Sequence, residues 1–175
     1  MEKNVALPDK LTVSLSHKVL EKMLSLAKDI SPEKRELSLY WSVSHMVTST
    51  QTIRLLALKR NLNMNFASIA AALHDVATFF TGEHNDHAAK SLQYLDEIIE
   101  EFNASRNGKK GITGDEAALL KEIIPMHSDK ADNSGNVYAE LLKDADALDR
   151  YLHGVATKPH EWPRLSRVLT ELNII

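Results

Sequence analysis

Cysteine is missing from all 175 residues. Disulfides and thiolate metal sites are thereby excluded, and any metal must be held by His, Asp, Glu or water. Long apolar runs are missing as well: no stretch approaches the roughly eighteen residues needed to span a bilayer, so membrane residence is not expected. The opening MEKNVALPDKLTV has no apolar segment behind its charges and no small-residue cleavage site. A secretory signal is therefore not expected, and a cytoplasmic location is. Excess positive charge is also lacking. A formal net charge of −3 argues against a stable nucleic-acid partner, because phosphate backbones are held by dense Lys and Arg, yet it leaves small phosphorylated ligands open.

What is present fits a single domain. A chain of this length buries roughly 70% of its unfolded surface and can hold a core without staples. Hydrophobic residues at 43% and charged residues at 26% are ordinary for a globular protein. With no convincing repeat or strand pattern, the sequence predicts an all-α bundle of about six to eight helices. Residues 1–10 read as an N-terminal arm, about 44–153 as the core of the domain, and 161–173 as a C-terminal helix.

Val19, Leu20, Met23, Leu24 and Ala27 predict a helix from about Ser16 to Asp29. Ser31-Pro32-Glu33 predicts a short helix through about Tyr40. Val47, Ile53, Leu55, Leu56 and Leu58 give the apolar side of a helix from about Ser44 to Arg60, and Asn63 or Asn65 caps the next, which runs through Ala70 and Leu73 into His74 and Asp75. A further helix, with Ala88, Leu92, Leu95, Ile98 and Ile99 inward, ends near Phe102. Thr113-x-x-Glu116 is a capping box for a helix leading to His127. The last two helices are Val137–His153, with Val137, Leu141, Leu148 and Leu152 as its stripe, and the one opened by Trp162-Pro163.

Eight histidines are an unusual store of ligands. His45, the adjacent His74 and Asp75, and an aspartate of Lys143-Asp144-Ala145-Asp146-Ala147-Leu148-Asp149 lie on separate predicted helices. Neutral imidazole with carboxylate suits Mn, Fe, Co, Ni or Zn when thiolate is absent. Taken singly, each is more often a structural residue.

The order SHMVTSTQTIRLLAL, AALHDVATFF, HNDHAAKSLQYL, IIPMHSDK and LLKDADALDRYL resembles the HD superfamily of metal-dependent phosphohydrolases, whose pattern is H…HD…D. The resemblance implies a divalent ion (Mn, Mg, Co, Ni, Fe or Zn), or two, held by His45, His74, Asp75 and one later aspartate. Asp146 in its Ala-Asp-x-Leu setting is the choice, with Asp144 the rival on the helical wheel and Asp149 a supporting or substrate group. His87 and His127 are counterparts of a second metal site or phosphate contacts, His84 a weaker one. Lys130 is a loop lysine able to neutralise phosphate. Many relatives carry Lys or Glu three residues after the HD aspartate; here that position is Thr78, which leaves the acid–base group unassigned.

The implied activity is hydrolysis of a phosphate ester or anhydride of a nucleotide or other small phosphorylated metabolite by a metal-activated water. Asp75 would bridge metal and water, with His87, His127 or Lys130 stabilising the phosphoryl charge. The alternatives are an HD-fold di-iron oxygenase and a non-catalytic ligand-binding module. A homodimer is compatible with the sequence. Other motifs carry less: Gly108-Lys-Lys-Gly111 lacks the context of a clamping loop, Asp129 to Gly135 fails the spacing of a calcium loop, and His84-x-x-His87 is not a zinc-protease motif.

Overall fold

The computed structural model describes residues 14–175, and no strand occurs among them. The arm expected at 1–10 lies outside the described residues. Seven helices have ten residues or more: α1 (Leu15–Leu26), α2 (Leu39–Lys59), α3 (Met64–Leu73), α6 (Leu92–Ser105), α7 (Gly114–Ile123), α8 (Val137–Leu152) and α9 (Trp162–Glu171), with the short α4 (Val76–Thr81) and α5 (His87–Lys90) between α3 and α6. The all-α expectation therefore holds. None of these helices is long and apolar enough to cross a membrane.

Local signals set several boundaries. Ser14, Ser38, Asn63, Thr113 and Asn136 each accept backbone N–H groups at a helix start, and Thr113 with Glu116 forms the full capping box. One expected helix is absent. Ser31 through Leu37 is irregular, Lys34 has φ 56°, and Ser38, not Ser31, caps the following helix. The segment is instead held by Arg35, whose guanidinium donates to the carbonyls of Thr78, Phe79 and Phe80 at the end of α4. Gly82 closes that junction: it lies at φ 76°, and a Cβ there would sit 2.6 Å from Arg35 Cβ, so glycine meets both the conformational and the steric demand.

α2 packs most extensively on α3 and α8. α3 is buried from Phe66 to Leu73, and its four alanines let α2 approach closely. The core face of α2 changes along its length, from Ser42, His45, Ser49 and Thr52 to Ile53, Leu56 and Ala57. The expected apolar side is corrected accordingly: Leu55 and Leu58 are about two-thirds exposed, at 65% and 64%. Leu92, Val137 and Leu152 are likewise exposed rather than inward. The polar half of α2, the C-terminal end of α3 and the C-terminal half of α8 converge, and the polar cavity lies there.

Candidate metal centre

The α3 helix ends at the His74-Asp75 pair. His74 is its C-cap and donates from Nδ1 to the Ala71 carbonyl at 2.7 Å. Asp75 precedes α4 with φ −104° and ψ 25°, and its side chain caps nothing, so both carboxylate oxygens are available. His127 repeats the device after α7 by donating from Nδ1 to the Ile124 carbonyl at 2.7 Å. His87 does so at the start of α5, toward the His84 carbonyl at 2.8 Å. His45 on α2 uses a carboxylate instead: its Nδ1 lies 2.7 Å from Asp149 Oδ2. In all four rings the acceptor at Nδ1 fixes the tautomer and turns the Nε2 lone pair toward the cavity.

The lone pairs meet carboxylates rather than donors. His45 Nε2 is 3.2 Å from Asp146 Oδ1 and 3.5 Å from Asp75 Oδ2. His87 Nε2 and His127 Nε2 are each 3.1 Å from Asp75 Oδ1 and 3.0 Å from one another. Among the described residues, the buried side-chain nitrogens and oxygens with no hydrogen-bond partner are His74 Nε2 and Asp146 Oδ1. Two sets bring their ligand atoms within 4.8 Å of one another: His45, His74 and Asp146, and His74, Asp75 and His127. Orphaned buried acceptors aimed at one point are costly without a cation between them. Imidazole nitrogen with carboxylate oxygen is a donor set for a divalent first-row metal, so the residues present fit the ion.

The electrostatics agree. Burial alone would lower the His45 pKa, but the Asp146 and Asp149 carboxylates beside its two nitrogens, with the charge of Asp75, raise it to about 10. His74, fully buried and without such a partner, falls to about 4 and stays neutral. Burial opposes ionisation of Asp75 and Asp146, yet the neighbouring imidazoles, with hydrogen bonds from His127 and His87, on Asp75 and the charge of Lys130 on Asp146 hold both well below the ordinary carboxylate range. The cavity thus sets ionised carboxylates against imidazole nitrogens, a donor set suited to a cation.

The two rival aspartates of α8 separate cleanly. Asp146 faces the cavity, whereas Asp144 is buried against Arg164, Arg60 and Arg167 at 2.6, 2.7 and 3.0 Å. Asp149 stands behind His45 rather than in the cleft. Lys130 is not a solvated loop residue: it is 5% exposed and its ammonium pairs with Asp146 Oδ2. Thr78 is buried, with its hydroxyl donating to the Glu83 carbonyl, and so serves the α4 turn.

Above this cluster opens a cleft of about 280 Å³ that also reaches Glu36, Leu37, Trp41, His84, Arg150 and Val155. Of these only His84 was singled out by sequence reasoning. Trp41 lies one turn before His45 and stacks on it, ring centroids 5.6 Å apart and planes at 9°. Arg150 lies one turn after Asp146. Helical spacing from the ligands was the signal that could have found both. A family model described as HD domain matches residues 43–151. No curated protein and no solved structure matches the chain.

Proposed function

The chain belongs to the HD domain family, and from that premise we propose that it is a metal-dependent hydrolase of phosphate esters or anhydrides acting on a nucleotide or another small phosphorylated metabolite. The observation that carries the reading is the convergence of four fixed Nε2 lone pairs and two carboxylates on one cavity that opens into a cleft. A cleft of about 280 Å³ is at the small end of ligand sites, which favours a small substrate.

His45, His74, Asp75 and Asp146 would hold the first divalent ion. Asp75, His87 and His127 would hold a second if two are bound. Such ions supply Lewis acidity toward a phosphoryl oxygen and lower the pKa of water. The chain's own residues do the rest. Asp149 holds the His45 ring in place, Lys130 keeps Asp146 ionised, and His87 and His127 stand where they can stabilise phosphoryl charge if only one ion is bound.

The test is phosphate release from a panel of nucleotides and phosphoesters by protein loaded with Mn, Mg, Co, Ni, Fe or Zn, with metal content measured alongside. Release by the parent and its loss in Asp75→Ala are expected. A fully loaded parent that releases no phosphate from any of them would sink the reading. The six-donor set also favours a second reading, a di-iron oxygenase. Oxygen consumption by the iron-loaded protein with no phosphate release would select it.

A further inference from the structure

The protein has seven arginines, all within the described residues. Six make a hydrogen bond or ion pair: Arg35, Arg54, Arg60, Arg106, Arg164 and Arg167. Arg150 makes none among the described residues, although it is part-buried and lines the cleft above His45, Asp75 and Asp146. A guanidinium carries five donors in a fixed fork, and with no protein acceptor among the described residues those of Arg150 are free to meet a ligand in the cleft.

The other cationic groups of the cleft are committed. The Lys130 ammonium is on Asp146 and the His127 carbonyl. His87 uses Nδ1 on the His84 carbonyl and Nε2 on Asp75. His84 stacks on His87, ring centroids 4.9 Å apart. Arg150 is therefore the permanent cation of the cleft that has no anion of its own among the described residues. It follows Asp146 by one helical turn, about 6 Å along α8, so its side chain reaches the space directly above the ligands.

The rest of the wall says what accompanies that anion. Leu37, Trp41 and Val155 form an apolar side, and Trp41 is fixed by its stack on His45. At the rim, Glu36 accepts the His84 N–H and adds a negative charge that disfavours a second phosphate there. We infer that Arg150 is the substrate-recognition residue, gripping by its two-pronged face the phosphate oxygens not turned to the ligand cluster. The Leu37, Trp41 and Val155 wall takes the organic part, and the preferred substrate class is a monophosphate ester with an apolar or aromatic group. The substrate part of this inference rests on the phosphohydrolase reading; the anion-receptor part does not.

Two probes separate them. Inorganic phosphate is titrated calorimetrically into metal-loaded parent, Arg150→Gln and Arg150→Lys, and metal content and Tm are measured on each. Arg150→Gln should keep its metal and Tm but bind phosphate about tenfold more weakly or worse, and Arg150→Lys should fall between, since lysine keeps the charge and loses the fork. Phenyl phosphate should have a higher kcat/KM than glycerol phosphate in the parent, and Val155→Ala should narrow that preference. Equal phosphate affinity in parent and Arg150→Gln, with metal content matched, overturns the receptor even if the parent is an active hydrolase. Arg150-dependent phosphate binding by a protein that hydrolyses nothing upholds the receptor while the hydrolase reading fails.

Discussion

A buried histidine can serve the fold with one nitrogen and chemistry with the other, and the four imidazoles of the cleft do so by two routes. His74, His87 and His127 each donate to a carbonyl three residues back. His45 alone depends on a side chain, Asp149, which also accepts from Thr52. The three backbone-held rings cannot be released by a single substitution, whereas His45 can. Asp149→Asn should therefore lower metal affinity about 10- to 100-fold, the usual effect of losing the carboxylate behind a ligating imidazole. Metal titration of the folded variant checks it, and unchanged affinity would show that Asp149 is not what orients His45, leaving Ser49 Oγ, 3.3 Å from the same nitrogen, and the Trp41 stack.

At the scale of the helix, α8 divides its acids between stability and the site. Two residues apart, Asp144 and Asp146 are turned by about 200° from one another, so they face different surroundings. Asp144 ties α2 and α9 to α8 through three guanidinium groups. Removing one partner of a buried ion pair costs about 3–5 kcal/mol. Asp144→Ala should unfold at correspondingly lower denaturant while its folded form keeps the metal, whereas Asp146→Ala should lose the metal. Glu140, one turn earlier, completes the latch. Burial would raise its pKa, but the Ser134 backbone N–H and Arg164 lower it to about 2. The sign follows directly: its contribution is complete above the ordinary value near pH 4.5 and is lost as pH falls toward about 2. Solvent screening leaves about 1 kcal/mol of it. Glu140→Gln should lose less stability than the parent between pH 5 and pH 3 in urea titrations, by about that amount. Elements such as α8 and the Thr113 box were legible in sequence because caps and periodicity are local. The irregular run from Ser31 to Leu37 was not, since what holds it is Arg35 reaching the distant end of α4. The exposed Leu55 and Leu58 misled for the opposite reason: the buried face of α2 is Ser, Thr and His, which an apolar stripe does not reveal.

For the whole molecule, the cluster of His45, His74, Asp75 and Asp146, proposed as the ligands, was legible in sequence because a metal site would demand a few residue types in a fixed order along the helices. Arg150 and Trp41 belong to no motif. Their meaning comes from what they lack or touch in three dimensions, a missing anion for one and the His45 ring for the other. The same distribution makes the proposed site a cross-link of the fold. Its donors come from α2, the α3–α4 junction, α5, the end of α7 and α8, so an ion that binds only the native state stabilises all of them together. At a free metal concentration about 100 times Kd, linkage gives about 2.7 kcal/mol. In a chain of this size each kcal/mol moves Tm by about 2–4 °C, so saturating metal should raise Tm by roughly 5–10 °C and EDTA should reverse the shift. Asp146→Ala and His74→Ala should abolish the rise, because each removes one of the orphaned acceptors, and Arg150→Gln should keep it in full. A rise that survives both ligand substitutions would place the ion elsewhere on the protein.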